Sequence, residues 1–255
     1  MSAAEIIRDV RYLQNLVGDL LDLDSTLVLD QVIAQLQACT TTNRRPRRRQ
    51  ASTPLWEFKI GSERPLKFRP SMNESNRKLR PEIFCHLIGP GVSGLPFQRQ
   101  ELVIRIWSMD RTLSYRPELD ASSISDWLNE SSTEDRVILR LHFDKASEGQ
   151  KGTVFHLQVG GKPIEEEREK CWLTGLPGLP RIPLQPMDLV LACELVIANF
   201  YHDSFQNLCQ DPEWCAVVKR AEQRTIRTYY ETCCSHLSSS WERSKHTLLK
   251  RLWNV

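Results

Sequence analysis

The chain lacks the short signatures that mark most metal proteins and enzymes. None of its eight cysteines (Cys39, Cys85, Cys171, Cys193, Cys209, Cys215, Cys233 and Cys234) belongs to a C-x-x-C pair. Structural zinc sites draw on ligand pairs typically about two to four residues apart, so these cysteines read as small buried hydrophobes and free thiols of a reducing compartment. Gly89-Pro90-Gly91-Val92-Ser93-Gly94 has no Lys-Ser/Thr after it, and its proline removes a backbone donor, so it is no phosphate cradle. There is no Gly-x-Ser-x-Gly elbow, no zinc finger, no RNP sequence and no clear helix-turn-helix. Met1-Ser2-Ala3-Ala4-Glu5 has neither a basic nor an apolar leader, so no secretory signal is expected. The longest apolar run, Met187 to Phe200, is too short for a bilayer and contains Asp188 and Glu194. The expectation is a cytoplasmic protein without a membrane partner.

What is present is an ordinary globular composition with an uneven charge. Hydrophobic residues make up 40% and charged residues 26%, enough for a sizeable core in 255 residues. The net charge is only +2, so any basicity is local. Residues 44–80 hold twelve basic side chains (Arg44, Arg45, Arg47, Arg48, Arg49, Lys59, Arg64, Lys67, Arg69, Arg77, Lys78 and Arg80) against Glu57, Glu63 and Glu74. Residues 118–148 reverse the sign, with eight acids against three bases, and 219–251 return to eight bases against three acids. Such a mosaic suits a component that docks on others, and the first basic block calls for an anionic partner.

Periodicity predicts an α+β fold. Ile6, Val10, Leu13, Val17 and Leu20 form one stripe of a helix over 3–22, and Leu29, Val32, Ile33 and Leu36 one face of a second over 26–38. Asp24-Ser25 breaks the first and can cap the second. Residues 1–39 thus form a helical hairpin whose stripe packs on its own chain or, alternatively, on a protein partner. Residues 40–53 read as a basic linker, because a proline inside five arginines cannot sit within a helix. From 54 to 161, strands at 56–60, 83–88, 102–107, 137–143 and 153–159, separated by turn residues, predict an antiparallel meander, with a helical turn at Asp126-Trp127-Leu128-Asn129. Residues 162–255 give a Pro-rich loop, then helices at 187–201, at 212–238 with a break near Cys233-Cys234, and at 241–253, covering one sheet face. Pro186 suits a first helical position, and residues 54–255 read as one domain.

Four constellations could carry chemistry. His142 and Asp144 share a strand face, as do His156 and Gln158. A hairpin centred near Gly149 sets His142 opposite His156, an arrangement able to hold a divalent metal or to supply an acid/base pair. The plainer reading is a polar ladder on the solvent side, with Leu141, Phe143, Phe155 and Leu157 facing the core. Glu57-Phe58-Lys59 has the E-x-K spacing of restriction-type nucleases, but the nearest upstream acids, Asp24 and Asp30, fall in or beside helices. Glu194 lies in an apolar helix and needs a cation such as Arg181 or a raised pKa. The last is nucleic-acid binding: Arg44, Arg45, Arg47, Arg48, Arg49, Arg64, Lys67, Arg69, Arg77, Lys78 and Arg80 hold phosphates while Trp56, Phe58 and Phe68 stack bases.

Taken together, these features lead to the expectation of a non-enzymatic accessory subunit of a nucleic-acid-handling assembly, without a cofactor. The alternatives are a metal-dependent hydrolase or nuclease centred on His142, Asp144 and His156, and a scaffold for an acidic protein partner.

Overall fold

The structure, a computed structural model, describes residues 2–42, 56–72, 78–91, 95–109, 136–146, 154–160 and 181–238. The Arg44–Arg49 run, Arg77, Cys171, the turn at 126–129, the loop at 162–180 and the expected helix at 241–253 lie outside them. The fold is α+β: an N-terminal helical hairpin, an antiparallel sheet and C-terminal helices.

Helix α1 (Ala3–Val17) starts on a reciprocal cap. The Glu5 amide donates to Ser2 Oγ at 3.4 Å, and the Ser2 amide donates to Glu5 Oε2 at 2.6 Å. It ends five residues earlier than its periodicity predicts. Gly18–Leu20 tightens into a 3₁₀ turn, and Leu21 leaves the helix to bridge Phe68. Helix α2 (Leu23–Thr42) begins two residues before the expected cap. Ser25 is buried in its first turn, where its hydroxyl donates to the Lys67 carbonyl (2.8 Å) and accepts from the Lys67 amide (2.7 Å). A long-range backbone clasp has replaced local capping. Ile6, Val10, Leu13 and Val17, with Val28, Leu29, Val32 and Leu36, join the same core as the sheet, so the hairpin packs on its own chain.

The sheet runs β1-β4-β5-β6-β7-β8, antiparallel throughout. Its main strands are β1 (Trp56–Ile60), β4 (Lys78–Gly89), β5 (Arg99–Ser108), β6 (Arg136–Lys145) and β7 (Phe155–Val159), with a two-residue β8 (Ile182–Pro183). Two short strands that alternation could not reveal, β2 (Leu66–Lys67) and β3 (Ser71–Met72), pair with β4 beyond β1. Strand β4 starts at Lys78 rather than after Pro81. Pro81 shows its acceptor side to the irregular join between β2 and β3, where its carbonyl takes the Phe68 amide at 3.0 Å, so its missing N–H interrupts no regular ladder. Gly89 is required where the Trp56 ring presses on β4, since a Cβ there would lie 2.4 Å from the indole. Gly160, at φ 80°, ends β7 and donates to the Arg140 carbonyl at 2.8 Å.

One sheet face is apolar. Trp56, Phe58, Ile83, Cys85, Leu87, Leu102, Ile104, Phe143 and Phe155 are buried there in a single core with the helices. Helix α3 (Leu189–Phe200), capped by the Asp188 side chain at the Leu191 amide (3.0 Å), lies against β4. Pro186 stands before that cap rather than at the first helical position, and the buried Gln100 side chain accepts from the Met187 amide at 3.0 Å to fix the entry. Helix α4 (His202–Gln210), not expected from the sequence, leads to α5 (Pro212–Glu222), where Asp211 caps and Pro212 takes the first position. The irregularity in the last long helix is a π turn at Gln223–Arg227. α6 (Thr228–Ser238) then runs unbroken past Cys233-Cys234.

Candidate functional site

The described part of the basic segment is spread along β4. Trp56 pairs with Gly89 at one end of β4, whereas Leu66 pairs with Ile83 and Ser71 with Leu79. At about 3.3 Å per residue, Lys67, Arg69 and Lys78 therefore sit roughly 20–36 Å along the strand from Trp56, where the described chain rejoins the sheet. Several of these groups serve the fold. Arg69 Nε donates to the Leu21 carbonyl at 3.0 Å, and Arg69's own carbonyl accepts from the Tyr201 hydroxyl. Lys67 and Arg69 flank Asp22, whose amide donates to the Lys67 carbonyl. Arg80 Nε lies 3.5 Å from Glu82, and its guanidinium lies over Trp107. Trp56, Phe58 and Phe68 are core residues, which corrects the expectation that they stack bases. Among the described residues, Arg64, Lys67 and Arg69 have no carboxylate within ion-pair distance.

The other end of β4 is different. Gln35 of α2 donates from Nε2 to the Lys59 carbonyl (3.0 Å) and accepts from the Lys59 amide (2.8 Å). Cys39 Sγ donates to the Glu57 carbonyl at 3.7 Å. Helix α2 thus runs antiparallel to β1, and the chain leaves at Thr42 beside the point where it returns at Trp56. Both anchors of the Arg44–Arg49 run are fixed and adjacent.

The second sheet face carries the histidines. The β6–β7 register sets Asp144 opposite His156 and His142 opposite Gln158, two residues off the expected pairing of His142 with His156. The hairpin closes past Gly149, with the Ala146 amide donating to the Val154 carbonyl at 2.7 Å. All four side chains still share one face, and Phe143 and Phe155 face the core as expected. The face is no solvent ladder, however: Glu82, Arg105, Arg140 and His156 are buried on it. Glu82 Oε2 binds Arg105 Nη2 (2.9 Å) and accepts from Trp107 Nε1 (2.8 Å), while Arg105 lies 4.7 Å from the Phe84 ring centre. His142 Nε2 is 3.9 Å from Asp144 Oδ2. Among the described residues, no three His, Cys, Asp or Glu side chains are grouped to hold a metal.

Burial pushes the His142 imidazole down to about 4, with Arg140 and His156 acting in the same direction and Glu101 against it. Burial pushes the Asp144 carboxyl up to about 6, with Glu101 adding to the shift and Arg181 and Arg99 opposing it. The two have opposite consequences for stability. His142 binds its proton less readily when folded, so its contribution is lost as pH falls from about 6.5 towards 4. Asp144 holds its proton more tightly when folded, so its contribution is lost as pH rises from about 4 towards 6. In the wild type they offset. Asp144→Asn is therefore expected to lose about 2–3 kcal/mol more than the wild type between pH 6 and 4, and His142→Gln to lose a similar amount from pH 4 to 6. Urea midpoints across that range test this, and parallel profiles for all three proteins would refute the pairing of effects.

Arg181, expected near Glu194, places its charge by Asp144 instead. Glu194 is half-buried with its carboxyl raised, first by burial and then by Glu222 and Asp188, and has no ionic partner among the described residues. Glu57 binds His86 Nε2 at 2.7 Å, Asp30 accepts from Gln14, and Asp24 sits in the first turn of α2, so the E-x-K pair has no upstream carboxylate beside it.

Comparison of the chain with protein-family models, curated proteins and solved structures finds no match.

A buried ionic cluster escaped the sequence reading. Asp9 is fully buried. Its Oδ1 accepts from Arg220 Nε (2.8 Å), and its Oδ2 pairs with Arg224 Nη1. Arg224 also grips Asp188 through Nε (2.8 Å) and Nη2 (2.6 Å). Three helices meet in this cluster through α1, the cap of α3, and the α5–π-turn segment. The available signal was small: an aspartate on the α1 stripe, three residues after Ile6.

Proposed function

We propose that this chain is a non-enzymatic accessory subunit that holds nucleic-acid phosphates in a cytoplasmic assembly, chiefly through Arg44, Arg45, Arg47, Arg48 and Arg49. One observation carries the proposal: this run is held between two adjacent, immobilised anchors, Cys39 and Glu57 being joined directly and Gln35 clamping Lys59. Five arginines within six residues give a local field that a polyanion neutralises with release of counterions. Arg64, Lys67, Arg69 and Lys78 form a second, distant group of cations that reaches phosphates only on a long ligand. No helix of the described residues is long and apolar enough to cross a membrane.

A protein partner is assigned to the hairpin. Its heptad-like stripe is consumed by the core, and its free apolar surface is Leu23 (84% exposed) with Leu27 (50%), one turn apart on α2.

Replacing Arg47, Arg48 and Arg49 together with alanine should lower the slope of log affinity against log salt by about 2–3, since each phosphate contact contributes roughly 0.7–0.9. Filter binding or fluorescence anisotropy over a salt series measures this. An unchanged slope removes the arginine run from the interface, and a stable complex with an acidic protein in place of nucleic-acid binding assigns it to that partner instead.

A further inference from the structure

Near the end of α2, the hairpin bears an open groove of about 480 Å³. One wall is a single face of α1, where Ile7, Arg8, Arg11, Tyr12 and Asn15 recur at helical spacing. Gln37 of α2 forms the other. The pairing of Gln14 with Asp30 and with the Thr26 carbonyl shows that the two helices run antiparallel. The start of α1 therefore lies beside the end of α2. Gln37 is five residues before Thr42, about 7.5 Å along the helix, so the groove opens towards the place where Arg44–Arg49 departs.

The groove is cationic. Among the described residues, no carboxylate lines it. Asp9, the acid nearest in sequence, is turned into the core and held by Arg220 and Arg224; Arg8 Nε stands 3.7 Å from a carboxylate oxygen already bonded to Arg220. Glu5 is tied into the cap with Ser2. Arg11 is exposed and has no ionic partner among the described residues. Tyr12 is half-buried against the core, and the Arg220 guanidinium lies 5.8 Å from its ring centre, which fixes the ring plane.

We infer that this groove is a subsite for one nucleotide of a single-stranded nucleic acid. Arg8 and Arg11 hold its phosphates, Tyr12 and Ile7 support the base, and Asn15 and Gln37 bond to its edge. Two guanidiniums alone would suit any anion. An aromatic ring and two carboxamides within the same concavity suit a base joined to a phosphate, and only an unpaired strand offers the face and edge of its bases together. The inference rests on the phosphate-binding role proposed above and extends it onto the folded body.

The test uses the full chain, a short fluorescein-labelled oligothymidylate and a duplex of equal length, titrated across a salt series. Arg8→Ala with Arg11→Ala should weaken single-strand binding about tenfold or more and lower the salt slope by about 1.4, two contacts at roughly 0.7 each. Asn15→Ala and Gln37→Ala should weaken it a few-fold with the slope unchanged. Both arginines are exposed, so thermal melts should match the wild type. If the wild type binds and the double variant keeps its affinity and slope, the subsite is wrong while the phosphate role stands. If the wild type shows no salt-dependent binding, both fall. Equal affinity for the duplex, equally dependent on Arg8 and Arg11, would overturn the single-strand assignment.

Discussion

Asp9→Ala is expected to lower the stability of the protein by about 3–5 kcal/mol. The substitution leaves Arg220 and Arg224 facing a fully buried position with no counter-charge, and breaking one side of a buried pair typically costs that much. Asp188 keeps its own hold on Arg224, at 2.6 Å, but it cannot reach the second guanidinium's share of the site. Arg224→Ala should be nearly as damaging, because it strands both Asp9 and Asp188. Replacing the two partners together, as Asp9→Leu with Arg224→Met, removes the desolvation penalty of that pair but leaves buried Asp188 and Arg220 without their counter-charges, so only part of the loss should return. Urea unfolding with a double-mutant cycle measures all three. A loss below about 1 kcal/mol for Asp9→Ala would show that the cluster contributes little.

Glu82→Ala should be of similar size, again about 3–5 kcal/mol, by the same mechanism on the opposite side of the molecule. Glu82 is 2% exposed and answers both the Arg105 guanidinium and the Trp107 indole N–H. Removing it takes this acceptor from the buried Arg105 guanidinium and from the partly buried Trp107 N–H. Arg105 retains the Ser62 carbonyl at 3.2 Å and its contact with the Phe84 ring, so the strand pairing should survive. Glu82→Gln keeps an acceptor for Trp107 but not the charge for Arg105, and should fall between alanine and wild type. With seven tryptophans in the chain, the indole N–H resonance of Trp107, assigned through Trp107→Phe, provides the local readout: it should move in Glu82→Ala and stay nearer the native position in Glu82→Gln. Equal stability of all three proteins would show that Arg105 is held by its other contacts alone.

Legibility in the sequence followed the range of the interactions. The alternation of Trp56-Glu57-Phe58-Lys59-Ile60 and the apolar runs around Ile104 and Phe143 reported their strands, because one buried face repeats every second residue. Helix α3 was legible from its nearly unbroken apolar composition. The elements that were missed depend on distant residues. Two-residue strands such as Leu66–Lys67 exist because Ser25 and β4 receive their backbone groups, and nothing within those two residues specifies that. Helix α1 stopped early because Leu21 found a partner in Phe68, forty-seven residues on. The hairpin register is centred on Gln150 rather than Gly149, which shifts each partner by two. This preserved the face of His142, Asp144 and His156 and changed which of them meet. Charge was the least legible property. The basic block reads as one feature in the sequence, yet Lys59 and Lys78 within it lie towards different ends of β4, and the cations that line the groove, Arg8 and Arg11, belong to a helix with as many acids as bases.

The clamp of Gln35 on Lys59 has a consequence for how the molecule keeps its identity in a crowded solution. Among the described residues, strand β1 has a neighbour strand on one side only, and its outward amide and carbonyl would otherwise be a template for another chain. A helix side chain occupies that pair of groups in the manner of a missing strand, and Cys39 takes the next carbonyl along. The N-terminal hairpin thus closes the margin of the sheet against self-polymerisation, and the same helix ends where the guanidinium run begins.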